Sequence, residues 1–115
     1  MRSLTGDRAF QRLRKGQSGG SKHLSLRWRK TRHGEVRVGI VVSRKVGKAV
    51  VRNRVRRRLR EATRALLREG VAPAALEGPV PSFDMVVIAR PSAAEASYHD
   101  LVHALRQAFG RGKLR

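Results

Sequence analysis

Apolar and polar side chains alternate in two stretches of the chain, and a third stretch is almost continuously apolar. Residues 24–28 have apolar side chains at every second position, which is the pattern of a half-buried strand. Residues 36–43 repeat this pattern and predict a second strand, and the glycine-containing segment 31–35 predicts a turn, so the two strands are expected to form a hairpin. The apolar run at 84–89 predicts a central strand that is covered on both faces.

Three other segments have the spacing of amphipathic helices. Residues 5–15 predict a short helix, with Thr5 as its N-cap and a glycine after its last residue. Residues 49–69 predict a long helix that ends before Gly70, with a narrow buried stripe of Val51, Val55, Leu59, Ala62 and Leu66. A last helix is predicted to begin at a capping box, Ser97–Asp100, and to bury Tyr98, Leu101, Val102, Leu105, Ala108 and Phe109.

The connections complete a predicted order of α-β-β-α-β-α within one domain, residues 1–115. Residues 16–21 are rich in glycine and serine and predict a flexible connection, with one further short strand as an option near 15–18. Residues 72–83 are rich in proline and glycine and predict a long loop, and residues 111–115 predict a basic tail.

The charge is concentrated in the first half of this 115-residue chain. Residues 1–60 hold 20 basic and two acidic side chains, a net of +18, whereas the remaining residues have a net of +1. With 40% hydrophobic residues the composition is that of a globular domain, and a net charge of +19 favours a polyanionic partner. The chain has no cysteine, which excludes disulfides, thiolate catalysis and cysteine-based zinc sites. No apolar run approaches the about 18 residues of a membrane span, and the N-terminus lacks the apolar segment of a secretory signal, so we expect a cytoplasmic protein.

The strongest local signal is the start of the long helix, which holds six arginines within the nine residues 52–60. Arginines three and four residues apart on a helix repel one another, and a bound anion relieves this repulsion. We therefore interpret this segment as a nucleic-acid-binding face; a solvated basic face is the alternative. Asn53 lies between two arginines and can bond a base edge or a ribose, or help to cap the helix.

The segment that leads into this helix is also basic. Its polar residues lie where helix N–H groups and the helix dipole already favour a phosphate; they are Ser43, Arg44, Lys45 and Lys48. No Walker motif is present, so nucleoside triphosphate binding has no support. A plain basic turn is the alternative interpretation.

The sequence offers little for catalysis by the protein itself. Its eight carboxylates form no DxD or ExE cluster of the kind that holds catalytic metal ions. His99 and His103 are four residues apart and could share a metal or act as an acid–base pair, but no third ligand is evident. We predict no catalytic residue and no metal site. Phe10 is either a core residue or a stacking platform, and Trp28 is predicted to be core.

The sequence RVGIVVSRK at 37–45, followed by GKAVVRNRVRR at 47–57, strongly resembles the bacterial ribonuclease P protein component and its RNR motif. Phe10 followed by Lys15, and DMVVIAR at 84–90, match the same family in order and spacing, so the resemblance covers about residues 4–110. It implies an α+β fold: a single-domain α/β sandwich with a mixed sheet of about four strands, three helices and a left-handed βαβ crossover, similar to the second domain of ribosomal protein S5.

The resemblance also implies a function and its partners. The family's protein is a subunit of the ribonucleoprotein that removes 5′ leaders from precursor tRNA, and the RNA subunit holds the active site and its Mg²⁺ ions. The implied partners are the catalytic RNA and precursor tRNA, with no membrane and no obligatory protein partner. The residues that inherit contact with the catalytic RNA are Arg52, Asn53, Arg54, Arg56, Arg57 and Arg60.

The resemblance implies a second site, a cleft between the first helix and the sheet that holds the single-stranded leader. Phe10 and Leu24 inherit leader contact. Many relatives have aromatic residues where this chain has Arg14 and Arg27, so we expect charge or arginine stacking to replace aromatic stacking there. Two other functions stay open: a non-enzymatic, ribosome-associated or structural RNA-binding protein, and an autonomous histidine-based nuclease.

Overall fold

Five strands and three α-helices make up the part of the chain that the structure describes. The structure is a computed structural model, and it describes residues 1–4, 7–71, 73 and 82–110. The strands are β1 (Arg2–Ser3), β2 (Gln17–Gly20), β3 (Leu24–Lys30), β4 (Val36–Val41) and β5 (Phe83–Ala89). The helices are α1 (Asp7–Arg12), α2 (Ala49–Arg68) and α3 (Tyr98–Gly110), and short 3₁₀ helices span Leu13–Lys15, Arg44–Val46 and Pro91–Ala94.

The strands form one mixed sheet in the order β1-β4-β5-β3-β2. β5 runs parallel to β4 and antiparallel to β3, so it is the central strand that its apolar sequence predicts. The expected hairpin of β3 and β4 is wrong, because β5 lies between them. The physical reason is burial: six of the seven residues of β5 are buried, which requires a strand on each side of it and cover on both faces.

The sheet is the middle layer of an α/β sandwich. On one face α2 and α3 cover the principal core, which includes Leu24, Leu26, Trp28, Phe83 and Met85. On the other face a smaller cluster of Leu4, Leu13 and Val86 is buried, with Phe10 and Ile88 partly buried against it. The sheet thus has an apolar layer on each face. The principal core positions α2, and the smaller cluster positions α1.

The glycine-rich segment after α1 forms strand β2, so the expected flexible connection is wrong and the optional short strand near 15–18 is confirmed in part. A side chain at Gly19 would collide with the backbone carbonyl of Ala108, and one at Gly16 would collide with the carbonyl of Trp28. Glycine therefore lets β2 pass close to α3 and β3, and β2 pairs with β3 over its whole length. The two-residue strand β1 was not predicted, and the proposed cap Thr5 lies outside the described residues.

The two long helices follow the predicted boundaries closely. α2 buries Val55, Leu59, Ala62 and Leu66 as predicted, whereas Val51 is only partly buried. Gly70 ends the helix with a φ of 82°. The capping box of α3 is confirmed: Ser97 N donates to Asp100 Oδ2 at 3.2 Å, and Asp100 N donates to Ser97 Oγ at 3.0 Å.

The stripe predicted for α3 is wrong at its first position. Tyr98 is 41% exposed, and Val102 is only partly buried. Ala104, which was not predicted, is buried. Most of the predicted loop 72–83 and all of the tail 111–115 lie outside the described residues, although β5 begins within the loop's predicted range, at Phe83. Among the helices described, none combines enough length with enough apolar character to cross a bilayer.

Candidate nucleic-acid interface

One exposed face of α2 gathers a large part of the predicted RNA-binding set. Because the stripe around Val55 and Leu59 is fixed against the sheet, the opposite side of the helix faces solvent. Four polar side chains line a shallow depression there, together with Val50, which is 76% exposed; they are Asn53, Arg56, Arg57 and Arg60. The sequence-predicted residues at these positions are therefore brought together.

This face carries uncompensated positive charge. Within the described residues, the ion pairs of arginine with carboxylate involve other arginines: Arg2, Arg37, Arg64 and Arg106. Asn53 Oδ1 accepts a hydrogen bond from Arg56 at 2.8 Å, which orients that guanidinium along the helix surface. The arginines of this face repel one another without relief from the protein, which is the condition expected of a surface that binds an anion.

Two arginines on the flank of α2 contribute to packing. Arg54 donates to the carbonyl of Ala94 at 3.5 Å, and Arg58 donates to the carbonyl of Ala96 at 3.0 Å. These bonds hold α2 against the segment that precedes α3. Arg52 is half-buried on the other flank, and its Nε, like that of Arg54, is buried without a hydrogen-bond partner. Arg58 was not among the predicted site residues. Helical spacing alone does not show whether an arginine at the edge of the polar side packs against a neighbouring segment or faces solvent.

The turn before α2 presents its polar side chains to solvent. Ser43, Arg44, Lys45 and Lys48 are all exposed, while Val46 is buried and anchors the turn to the core. Gly47 has a φ of 152°, a conformation that L side chains rarely adopt, so glycine is required there. Lys48 is the N-cap of α2 and makes no side-chain capping bond, and the first turn of α2 has no acidic residue.

A second basic surface lies on the opposite face of the sheet, beside α1. The ring of Phe10 is half-buried and rests on Gly39; an added Cβ at Gly39 would lie 2.9 Å from Phe10 Cζ. Arg14 is exposed on the 3₁₀ turn after α1. Arg27 pairs with Val86 in the sheet, and Val86 belongs to the cluster under α1, so Arg27 lies on this face. Phe10 and Arg27 therefore lie on the same face of the sheet, and Arg14 is exposed on the turn that follows α1.

The structure corrects the assignment of Leu24. Leu24 is fully buried in the principal core, on the face of the sheet that α2 and α3 cover. Side chains of successive strand residues point to opposite faces, so Leu24 and Arg27, three residues apart, cannot share one. Leu24 has no surface to offer a nucleotide, and we exclude it from the cleft.

A buried ion cluster next to this cleft was not predicted. Asp84 is 5% exposed and accepts two hydrogen bonds from Arg37, at 2.8 and 2.7 Å. His33 Nε2 lies 3.1 Å from the same carboxylate. The hydrogen bond to Asp84 raises the pKa of Arg37. Arg37 therefore compensates the negative charge of the largely buried carboxylate of Asp84.

The candidate metal ligands do not assemble. His99 and His103 border a cavity near the start of α3 together with His23. Within residues 1–4, 7–71, 73 and 82–110, no three His, Cys, Asp or Glu side chains are placed so that they could hold a metal ion. His23 instead hydrogen-bonds Ser92 at 2.9 Å.

The fold and these surfaces define a small α/β domain with a basic helical face and further arginines on the opposite face of the sheet, an arrangement typical of proteins that bind nucleic acid. The model of the Ribonuclease P family matches residues 1–113, and the chain belongs to this family. The resemblance read from the RNR segment is thereby confirmed.

Individual relatives agree with this assignment. The chain is 47% identical to the ribonuclease P protein component of Thermus brockianus over 97% of this chain and 60% of that protein, and 36% identical to the one of Clostridioides difficile over 96% and 90%. The structure of the RNase P protein from Thermotoga maritima matches with a TM-score of 0.72 at 31% identity, over 91% of this chain and 92% of that one. The chain spans about 60% of the length of its Thermus relatives.

Proposed function

We propose that this chain is the protein subunit of ribonuclease P, and that it binds the catalytic RNA and the 5′ leader of precursor tRNA in the cytoplasm. It would assist endonucleolytic removal of the leader, which gives the mature 5′ end of the tRNA. The observation that carries this proposal is the face of α2 with Asn53, Arg56, Arg57 and Arg60, whose arginines have no carboxylate partner among the described residues.

The catalytic RNA would lie against this face and the turn before it. Guanidinium groups donate paired hydrogen bonds to phosphate oxygens, and each phosphate that they neutralise releases condensed counterions. The four polar residues of the turn extend the positive surface to the N-terminus of α2, where N–H groups without a side-chain cap favour a phosphate. Arg52 would contribute from the flank of the same surface.

The leader would lie in the cleft on the other face of the sheet. Phe10 is half-exposed and offers its ring to one base, and Arg14 and Arg27 offer positive charge on the same side of the molecule. Stacking on an aromatic ring does not depend on base identity, because every base has a π face. A cleft of this kind suits leaders of varied sequence.

The protein would not supply the catalytic groups. Mg²⁺ bound by the RNA subunit would supply the activated water and the neutralisation of charge for phosphodiester hydrolysis. Five of the eight carboxylates are engaged elsewhere: Glu35, Glu61, Glu69 and Asp84 lie in ion pairs, and Asp100 caps α3. The chain's own residues would bind and orient the two RNAs.

Processing of precursor tRNA with and without the cognate catalytic RNA tests this proposal. We expect no cleavage by the highly purified protein alone, and faster cleavage by the RNA when the protein is added. Protein-only cleavage that is lost in the double variant His99→Ala, His103→Ala would establish the autonomous nuclease instead. If the protein leaves the RNA's cleavage rate unchanged, a structural RNA-binding role replaces the proposed one.

A further inference from the structure

A second groove borders α2, and it shares Arg57 with the face proposed to bind the catalytic RNA. It is lined by Tyr98, which is the only tyrosine of the chain, and by four charged side chains of α2: Arg54, Arg57, Arg58 and Glu61. Tyr98 is 41% exposed, so a place in the core does not explain this residue. An exposed aromatic ring among guanidinium groups is a site for a flat, electron-rich partner.

The groove is held in place before any ligand binds. The hydrogen bonds of Arg54 and Arg58 to the carbonyls of Ala94 and Ala96 fix both side chains along the segment that leads to Tyr98. The capping box at Ser97 fixes the first turn of α3, which contains Tyr98. A preformed groove loses little conformational entropy when it is occupied.

The charge of the groove selects the chemistry of its partner. Glu61 lies 3.3 Å from Arg64, so its carboxylate is already paired. Arg57 has no carboxylate partner in the described part of the chain, and it is exposed. An apolar protein surface would bury these cations without compensation, at a high cost. An RNA nucleotide supplies both a base to stack on the ring and a phosphate for the guanidinium groups.

We propose that this groove binds one unpaired nucleotide of the catalytic RNA, with its base stacked on Tyr98 and its phosphate on Arg57. The inference rests on the proposed function, because it names a further contact with the same RNA. Two observations favour the catalytic RNA over the leader. Arg57 lines both this groove and the α2 face, so the two surfaces are continuous. The groove lies on the side of the sheet that α2 and α3 cover, away from Phe10.

The test measures the affinity of the protein for the catalytic RNA alone, in the absence of precursor tRNA, at several salt concentrations. We expect Tyr98→Leu to bind roughly 5- to 150-fold more weakly, the affinity equivalent of one stacked base, with an unchanged salt dependence. Tyr98→Phe keeps the ring and should bind like the wild type. In Tyr98→Trp, RNA should quench the emission of the new indole, while buried Trp28 provides a constant background.

Arg57→Ala tests the phosphate contact. We expect it to lower the magnitude of the log–log salt slope by about 0.7–0.9. Arg68→Ala is the matched control, because Arg68 is an exposed arginine about three turns further along α2 and lies outside the groove. Circular dichroism and thermal melting establish that each variant is folded before its affinity is measured.

Three outcomes would overturn the inference. Wild-type affinity in folded Tyr98→Leu would exclude stacking, and equal weakening in Tyr98→Phe would replace stacking by a hydroxyl contact. A defect seen only with leader-bearing precursor tRNA would assign the groove to the leader. All three are distinguishable from a failure of the proposed function, in which the wild-type protein itself neither binds the catalytic RNA nor accelerates its reaction.

Discussion

Replacing Phe10 by leucine separates a leader contact from a core contact. The ring of Phe10 packs against the small cluster of Leu4, Leu13 and Val86, yet part of it stays exposed in the cleft. Leucine keeps most of the apolar volume and removes the aromatic face. The substitution therefore changes stacking far more than packing.

The structure sets the expected magnitudes. A hydrophobic substitution that conserves volume usually costs less than about 1.5 kcal/mol even in a full core, and Phe10 is only half-buried. We expect a loss of at most about 1 kcal/mol in the free energy of unfolding, or about 3–6 °C in Tm for a domain of this size. Loss of one stacked base is worth about 1–3 kcal/mol, so the holoenzyme's preference for precursor over mature tRNA should fall by roughly 5- to 150-fold.

The assay is the ratio of the holoenzyme's affinities for precursor and mature tRNA, because only the precursor has a leader. Gly39→Ala is an independent way to perturb the same ring, since its methyl group would lie 2.9 Å from Phe10 Cζ and the ring must shift. It should lower the ratio as well. Arg14→Ala and Arg27→Ala should lower it in a salt-sensitive way, because they remove charge and not stacking.

One pattern of results would refute this reasoning. If Phe10→Leu melts much earlier than the wild type and yet keeps the full preference for precursor tRNA, the ring is a core residue. The assignment of the cleft would then fail with it, whereas the role of the α2 face would not be affected.

Three further perturbations test other parts of the structure. Arg52→Ala with Arg56→Ala should flatten the log–log salt slope of catalytic-RNA binding by about 1.4–1.8, and an unchanged slope would place the RNA elsewhere. Asp84→Asn should cost about 1.5–3 kcal/mol in urea unfolding, because Arg37 loses a paired, largely buried carboxylate; a cost below about 0.5 kcal/mol would contradict this. Backbone and then side-chain hydrogen bonds from Ser97 lower the pKa of Asp100, so its stabilisation is present at neutral pH and lost as the pH falls. The Tm difference between wild type and Asp100→Asn should therefore shrink below pH about 4, and a constant difference would refute the cap's charge dependence.

Features whose information is local could be predicted from the sequence. The long helix α2 repeats its apolar residues with one period over 20 residues, so its boundaries, its buried stripe and its basic surface follow from spacing. The capping box of α3 joins residues three apart, so it can be read from the sequence. The continuous apolar run of β5 likewise predicts a strand that is covered on both of its faces. The RNR segment also lies within one stretch of chain, and it was enough to identify the family.

Features that depend on distant residues could not be predicted. β5 pairs with β3 and β4, which lie about fifty residues earlier in the chain. The sequence shows only that a short turn connects β3 and β4, and such a turn favours a hairpin. The ion pair of Arg37 with Asp84 spans 47 positions and exists only because that pairing sets the two residues side by side. From the sequence alone, the glycines of β2 indicate a flexible segment. The structure shows that one of them is needed because the carbonyl of Ala108 leaves no room for a side chain at Gly19.

The candidate site divides in the same way. Periodicity places Asn53, Arg56, Arg57 and Arg60 on the polar side of α2, because a helix turns by a fixed angle at each residue. Periodicity does not show what packs beside that helix. Only the packing of the segment before α3 against α2 determines that Arg54 and Arg58 bond to carbonyls and that Tyr98 is exposed next to them. Strand alternation by itself puts Leu24 and Arg27 on opposite faces, and the assembled sheet decides which of these faces is buried. Local backbone geometry determines the direction in which each side chain of a helix or strand points. What packs against each face is determined by how the helices and strands bury their apolar surfaces together.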